Sequence, residues 1–264
     1  MQTFLPYEDF RRSAEVLDSP RLGKQRVETL QILRALVVPD YGWQSHPVTR
    51  MWMGYVPALT LYGLAMTDTW VARGYADTVR DQLVEFAPDA DVRKVPLPPW
   101  LGDARVHESH QSNLLAKDPV FYADLFPGTP PDLPYVWPEP ETLLLPAEPV
   151  KDALWVARPV TGCDVPVIEL QMLTARGKPV TGKKARELER FLDVMDDGDT
   201  VALLGPDRSV LELGTVGGVT LTNDTARRNV DIFGSVNRSD FRYPALLQDP
   251  RTVFTVPRPD VPGH

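Results

Sequence analysis

The sequence predicts an α+β protein of more than one domain, an all-α N-terminal part joined to a small β-barrel C-terminal part. Three observations carry that reading. Ahead of residue 126 the apolar residues recur at helical spacing, as Leu22, Thr29, Leu33 and Leu36 do. Beyond residue 152 they gather in short runs bounded by glycine, proline and aspartate, the punctuation of strands and turns. Between the two parts prolines crowd the chain. Of its 27 prolines, eight lie in 127–149 (Pro127, Pro130, Pro131, Pro134, Pro138, Pro140, Pro146 and Pro149), which excludes regular helix and central strand. The expected layout is a helical domain over 1–126, a proline-rich linker or surface strap over 127–152, and a β-rich domain over 153–264.

Each element has a local cause. Residues 6–16 form a short helix. Residues 20–37 form a second, with Ser19 as its N-cap and Pro20 at the first helical position, where a missing N–H costs nothing. Pro47 opens a long apolar helix over 47–73, kinked near Pro57. Helices over 75–86 and 104–116 follow, and Asp118-Pro119 caps a last short one. Strands are expected at 153–157, 200–204, 210–216, 228–234 and 251–256. A Lys-, Glu- and Leu-rich helix over 181–194 separates the first two, and Gly205-Pro206-Asp207-Arg208 is a hairpin loop.

Composition bounds the function. Of 264 residues, 43% are hydrophobic and 24% charged, as in a globular protein with a real core. No apolar run approaches bilayer-spanning length and no signal-peptide pattern precedes Tyr7, so no membrane partner is expected. The single cysteine, Cys163, excludes an intramolecular disulfide and a cysteine zinc cluster. It is expected to be an inert packed thiol in a protein of the reducing cytoplasm. The formal net charge of −8 argues against non-specific affinity for phosphates, yet binding depends on local patches. Arg21, Lys24, Arg26, Arg34 and Arg50 outnumber the acids between Ser19 and Arg50. A second basic stretch runs through Arg176, Lys178, Lys183, Lys184 and Arg186, while acids gather at 68–91 and 187–199.

The most informative segment is Leu17-Asp18-Ser19-Pro20-Arg21-Leu22-Gly23-Lys24-Gln25-Arg26-Val27-Glu28. Arg21, Lys24, Gln25 and Glu28 share one helix side at i, i+3, i+4 and i+7. Two readings stand open: a solvated face with a Lys24–Glu28 pair worth a few tenths of a kcal/mol, or a polar site ending in a carboxylate. Arg26 points toward the apolar side of the helix, so it needs either a structural ion pair or a phosphate or catalytic contact. His46 either caps the helix at Pro47 or faces a ligand. His107 and His110, at i, i+3, lack the spacing of a helical zinc motif and a third ligand, so neither metal nor cofactor is expected. Trp43, Trp52, Tyr55 and Tyr62 are read as core rather than base-stacking aromatics.

The order of these segments, continuing through Trp70-Val71-Ala72-Arg73-Gly74-Tyr75 and Val106-His107-Glu108-Ser109-His110, resembles the pyrimidine-dimer DNA glycosylase family of small helical repair enzymes. That family carries Leu-Asp-x-x-Arg-Leu-x-x-x-x-x-Glu near its N-terminus, and its glutamate is the catalytic carboxylate. The resemblance covers roughly the first half of the chain and places that role on Glu28. It implies a glycosylase-like domain acting on double-stranded DNA. Arg21, Gln25, Gln2, His46, Arg50, His107 and His110 are then the candidates for holding DNA. Glycosylase chemistry breaks the sugar C1′–base bond and needs an amine or activated water as nucleophile, with a carboxylate for the positive charge on the sugar. In the resembling family the nucleophile is the N-terminal α-amine, a group that titrates near ~8. Phage-type members expose a small residue after losing methionine; here Gln2 is too large for that removal, so Met1 is expected to persist. The Met1 amine, Lys24 (if burial lowers its pKa) or water activated by Glu28 remain the three options, with Arg26 a further catalytic candidate.

After the prolines, Trp155-Val156-Ala157-Arg158, a helix, Gly198-Asp199-Thr200-Val201, then Glu212-Leu213-Gly214-Thr215-Val216, and Asn237-Arg238-Ser239-Asp240-Phe241 resemble PUA-like, EVE-type domains. These hold a modified or flipped base between strands of a barrel. The resemblance implies a base-reading pocket, with Trp155, Phe233, Asn237 and Arg238 as its candidates; a plain packing module is the other reading. Together the two resemblances imply a glycosylase, with or without strand-nicking abasic-site lyase activity. Its expected substrate is double-stranded DNA carrying damaged or modified bases, such as modified phage DNA in antiviral defence. No obligate protein partner is evident. A non-enzymatic reader of modified DNA or RNA is the alternative, favoured by a basic groove with no carboxylate at its floor. A metal-dependent nuclease would need a carboxylate cluster that the chain does not display.

Overall fold

A computed structural model describes residues 1–140 and 153–259. The chain divides into two compact units, Met1–Pro146 and Ala147–His264.

The first unit is helical among its described residues: α1 (Phe10–Val16), α2 (Ser19–Val37), α3 (Pro47–Met51), α4 (Val56–Ala72), α5 (Arg80–Val84), α6 (Ala104–Lys117) and α7 (Pro119–Tyr122). Its core is built from Leu17, Leu22, Ile32, Leu33, Trp52, Leu59, Tyr62 and Tyr122, all without exposed surface. Helices α2 and α4 pack closely because two glycines stand at their contact. A Cβ on Gly63 would lie 2.9 Å from the Thr29 methyl, and one on Gly23 would lie 2.9 Å from the Trp70 ring. The segment ahead of α1 is extended and buried: Thr3 and Leu5 have no exposed surface and Phe4 has 5%.

Several expected boundaries move. The cap of α2 is Asp18, not Ser19; its carboxylate accepts the Arg21 N–H at 2.8 Å. Residues 6–9 are not helical, because Asp9 caps α1 by accepting the Arg12 N–H at 2.6 Å. The long helix over 47–73 is two helices rather than one kinked rod. Gly54, at φ 85°, turns the chain between them, and Pro57 then sits in the first turn of α4, where it is tolerated. The expected helix over 75–86 shrinks to α5, whose start is fixed by Asp77 accepting the N–H groups of Val79 (2.9 Å) and Arg80 (2.7 Å).

Residues 127–140 lie on α6 as part of the helical unit. Ser112 Oγ accepts Leu133 N–H at 2.9 Å, Ser109 Oγ accepts Val136 N–H at 3.2 Å, and Asn113 donates to Leu133 O at 3.1 Å. Serine and asparagine side chains thus satisfy backbone groups that a proline-rich segment cannot pair within itself. Tyr135 and Trp137 pack against the helical core. The remainder of the expected linker, with Pro146 and Pro149, lies outside the described residues.

The second unit is a curled mixed sheet with one long helix. Its strands are β1 (Ala153–Ala157), β2 (Val167–Gln171), β3 (Thr200–Leu203), β4 (Val210–Val216), β5 (Thr220–Leu221), β6 (Thr225–Asn237) and β7 (Val253–Pro257). The order is β2-β6-β4-β3-β1-β7, with β5 beside β6. Among the described strands only β1 and β3 run parallel, Trp155 opposite Val201, and α8 (Lys183–Asp193) lies between them in sequence. Alternate residues of β1 feed two cores: Trp155 and Ala157 join Phe191 and Met195, while Leu154 and Val156 join Phe254 and Leu247.

The expected closed barrel is a half-barrel among the described residues, since the path ends at β2 on one side and β7 on the other. β6 is longer than the expected 228–234 and pairs with β2 through its first half and β4 through its second. Between those halves its register with β4 slips. Leu213 faces Gly234 and Gly214 faces Ile232, leaving Phe233 as the extra residue of a bulge. β2 and β5 were not anticipated. Cys163 is exposed rather than packed. No helix of the described residues is long and apolar enough to cross a membrane.

Candidate active site

The N-terminal segment, α2, the start of α3, the end of α6 and the strap over 127–140 together line a cavity of about 680 Å³. Its walls include Met1, Phe4, Arg21, Lys24, Glu28, His46, Lys117, Tyr135 and Trp137. All of these belong to the helical unit.

Gln25 and Glu28 face inward from α2 one turn apart, so the solvated-face reading holds for Lys24 and its pair with Glu28 but not for these two side chains. Gln25 has no exposed surface and Glu28 has 7%. Gln25 acts as a brace: its Oε1 accepts the Phe4 N–H at 2.9 Å and its Nε2 donates to Glu28 Oε2 at 3.1 Å. The Tyr62 hydroxyl lies 2.6 Å from that same Gln25 oxygen. Burial, with Glu28 adding to it, raises the Tyr62 pKa well above the phenolic range, so the hydroxyl keeps its proton and serves as a donor. The Gln2 N–H donates to Glu28 Oε2 at 3.1 Å, and Thr3 Oγ1 accepts the Trp52 indole N–H at 3.1 Å. The extended N-terminal segment is therefore stitched to α2 through Gln2 and Phe4, and to Trp52 at the end of α3 through Thr3.

The result is a carboxylate facing two amines. The α-amino nitrogen of Met1 lies 3.6 Å from Glu28 Oε1, and Lys24 Nζ lies 3.4 Å from the same oxygen. Their surroundings differ. The Met1 side chain is 4% exposed and that of Lys24 is 71% exposed, so the burial on which Lys24's activation was conditional is missing.

His46 caps α3, its Nδ1 accepting the Val48 N–H at 3.2 Å, and also lines the cavity. The capping and ligand-facing readings thus both describe it. Burial is the largest cause lowering the His46 pKa. The N-terminal amine lowers it further and Glu28 opposes both. Tyr135 is raised, chiefly by burial. Arg21 is anchored on Asp18 and on the Lys117 carbonyl at 3.0 Å, which holds it at the rim.

Other candidates take structural places. Arg26 is paired with Asp77 and stacks over Trp70, its guanidinium carbon 4.3 Å from the ring centre. It stands away from Glu28, which favours the ion-pair reading over a catalytic one. Arg50 pairs with Glu139 at 3.0 Å. His107 is 8% exposed; its Nδ1 lies 2.8 Å from Leu5 O, and its Nε2 accepts the Gly102 N–H at 3.1 Å. Those contacts make it a clamp on the N-terminal segment rather than a DNA contact. His110 has no exposed surface and no hydrogen-bond partner for either ring nitrogen among the described residues. It packs between Phe4 and Tyr135, and burial, helped by His107, lowers its pKa to about 3. A ring so enclosed cannot reach DNA.

The sheet unit does not gather its four candidates. Trp155 is a core residue, 8% exposed, donating its indole N–H to Asp199 at 2.9 Å beneath Arg190. Asn237 and Asp240 cap the short turn Arg238–Asp240 reciprocally, and Arg238 reaches toward Pro244 O at 3.4 Å. Phe233, 62% exposed on the bulge, and Asn237 are the two of the four that are open, and only Asn237 is engaged in a cap.

Sequence reasoning missed the aromatic wall formed by Tyr135 and Trp137. The signal was present: two large aromatics spaced i, i+2 inside a proline-rich stretch have no reason to be there unless something buries them. Trp43, read as core, is 61% exposed. A second groove of about 640 Å³ lies along α1 and α4, but its charges answer one another, Arg80 with Asp68 at 3.1 Å and Arg11 with Glu15 at 3.2 Å. Among the described residues no three His, Cys, Asp or Glu side chains gather as a metal site requires.

Compared with known proteins, residues 1–83 match the family described as pyrimidine dimer DNA glycosylase. The matched stretch holds Met1, Lys24, Gln25, Glu28 and His46, and it ends well before Tyr135 and Trp137. No curated protein and no solved structure matches the chain.

Proposed function

We propose that the helical unit is a DNA glycosylase that excises a damaged or modified base from double-stranded DNA, with Glu28 as its essential carboxylate and the Met1 α-amine as its nucleophile. The observation that carries this reading is the buried carboxylate 3.6 Å from the Met1 α-amine, both lining an open cavity, within the stretch similar to a glycosylase family. The alternative of a non-enzymatic reader would want a basic groove without such a carboxylate. Here Glu28 is the centre of the hydrogen-bond network.

The chemistry follows from the groups present. The neutral amine attacks C1′ of the sugar while the C1′–base bond breaks, its electron pair leaving with the base, which takes up a proton. Glu28 accepts a proton from the attacking amine and stabilises the positive charge that builds on the sugar. The sugar ring then opens: the nitrogen lone pair forms the C1′=N bond of a Schiff base as the C1′–O4′ bond breaks and O4′ takes up a proton. That Schiff base acidifies the adjacent C2′ proton, so strand cleavage by β-elimination, with the 3′-phosphate as leaving group, is the expected sequel. Gln25 and Gln2 hold Glu28 in place, and Arg21 at the rim is placed for a phosphate. Of the four base-reading candidates in the sheet unit, Phe233 is the one that keeps that assignment.

Glu28→Gln preserves size and helix propensity while removing the charge. Base release from damaged duplex DNA is expected to fall by roughly 10²- to 10⁴-fold, the range for losing an acid–base group. Folding is expected to be retained, because an amide still accepts the Gln2 N–H. Undiminished release would remove the central claim. Borohydride trapping decides the nucleophile. A covalent adduct lost when the α-amine is blocked supports Met1, an adduct lost in Lys24→Gln supports Lys24, and release without trapping points to water.

A further inference from the structure

Trp43 combines two costs that a protein has no reason to carry together. Of the six tryptophans it alone is exposed, at 61%. Its backbone is also left-handed, with φ 72°, a conformation that bulky L-residues rarely adopt and that Gly, Asn or Asp would fill with less strain. The loop that presents it is tied down at both ends. Tyr41 N–H donates to Val38 O at 3.3 Å, the Gln44 side chain lies 3.4 Å from that same oxygen, and His46 N–H donates to Trp43 O at 3.0 Å. The indole meets the His46 ring edge-on at 5.8 Å, and His46 meets Trp137 at 6.1 Å. Both His46 and Trp137 line the Glu28 cavity. A rigid, exposed aromatic therefore stands beside the mouth of the proposed active site.

Resting on the glycosylase reading, we propose that Trp43 is a stacking wedge, entering the DNA base stack at the step vacated when the target nucleotide turns into the Glu28 cavity. An enzyme that acts on a base within a duplex must extrude it, and the gap left behind is an apolar slot between two base faces. Apolar side chains inserted at such steps compensate lost stacking, and tryptophan offers the largest face. The left-handed backbone has a purpose on this account: it sets the direction in which the turn presents the indole.

The test compares the full chain with Trp43→Asn and Trp43→Phe, on duplexes that are intact or carry a tetrahydrofuran abasic analogue. Asparagine tolerates the left-handed backbone, so circular dichroism should be unchanged and serves as the folding control. Trp43→Asn is expected to weaken binding to the gapped duplex by about 5- to 100-fold, the range for losing one base–aromatic stack, while intact-duplex affinity changes little. Trp43→Phe should retain most of the preference. The part of the tryptophan fluorescence absent from Trp43→Phe should be quenched by the gapped duplex alone. Equal affinity of Trp43→Asn and the unaltered protein for the gap overturns the wedge, as does an equal loss on both duplexes, which marks a structural role. The two readings fail separately. Base release that is abolished in Glu28→Gln but unaffected in Trp43→Asn, with no change in gap binding, leaves the glycosylase and removes the wedge. A Trp43-dependent gap preference without base release from any duplex does the reverse.

Discussion

The two units bury polar side chains to different ends. In the sheet unit Arg228, 4% exposed, gives its guanidinium to the backbone: Phe191 O at 3.2 Å, Met195 O at 2.6 Å and Gly217 O at 3.1 Å. It ties the end of α8 to the sheet and leaves nothing over. In the helical unit Gln25, Glu28 and His107 also brace backbone, but the chain ends in a carboxylate with one oxygen turned toward two amines and an open cavity. A buried network that closes on carbonyls is scaffold. One that ends on a charged group facing a cavity leaves that group available to a ligand, and the proposed function places the reaction in the helical unit on that difference.

The largest expected effect tests the scaffold side. Arg228→Met leaves the buried carbonyls of Phe191 and Met195 and the half-buried one of Gly217 without their donor; a buried group left so costs ~1–3 kcal/mol, so the sheet unit should lose about 2 kcal/mol or more. Limited proteolysis and urea unfolding should show the sheet unit opening early while base release from a small damaged duplex persists. Activity lost in step with the sheet unit would break the division of labour.

Next comes Gln25→Leu, which keeps the side-chain bulk but removes the partner of both Phe4 N–H and Glu28. The orphaned groups should cost about 1–3 kcal/mol of stability. Base release should fall through the chemical step more than through KM, because the carboxylate loses its orientation while the cavity keeps its walls. A rise in KM alone would make Gln25 part of substrate binding rather than a positioning residue.

Much of this arrangement was legible in the chain, for reasons specific to each element. Proline beside a capping residue marked α2, α3 and α7 to within a residue, since local geometry dictates those starts. Glu28 stood out through the resemblance carried by Leu17, Asp18, Arg21 and Leu22, since spacing alone left a solvated face open, and the burial of Gln25 and Glu28 was not legible. It depends on Phe4, Tyr62 and Gln2 arriving from distant parts of the sequence. The break between α3 and α4 was misread as a kink because periodicity continues across Gly54 while the backbone does not. β2 escaped notice because Val167–Gln171 is a five-residue edge strand, recognisable only through its pairing with β6. Trp155 was misassigned for the converse reason, since an aromatic at a strand centre looks the same in sequence whether α8 covers it or not.

Acid sharpens the comparison, because the described residues of the sheet unit contain no histidine and the helical unit contains three. His110 is held neutral, its pKa lowered from 6.5 to about 3 by burial. Below about pH 6.5 the unfolded chain takes up a proton that the folded helical unit refuses. Stability therefore falls as pH drops toward 3, with a limiting slope of ~1.4 kcal/mol per pH unit for one such group. Urea unfolding of the helical unit at pH 7, 6 and 5 should show that slope, and His110→Phe should lose one proton's share of it. An unchanged slope in His110→Phe would mean that the ring finds a partner when charged.

The smallest expected effect on stability falls on Phe233, and it is the sharpest test of whether the sheet unit does anything beyond packing. The ring is 62% exposed on a bulge, beside Ile232 at 41% exposure, and the bulge rather than any contact of the ring sets its direction. Phe233→Ser should therefore shift stability by no more than about 0.5 kcal/mol, as for surface changes away from caps and cores. If the sheet unit chooses the base, the same change should lower the preference for modified over plain duplex several-fold, with the rate on plain damaged DNA untouched. Trp155→Phe supplies the contrast, since it removes the hydrogen bond to Asp199 in the core and should weaken the sheet unit without a selective change in preference. Should Phe233→Ser leave both rate and preference intact, the exposed ring has no part in base choice, and the helical unit selects its base through its own cavity walls.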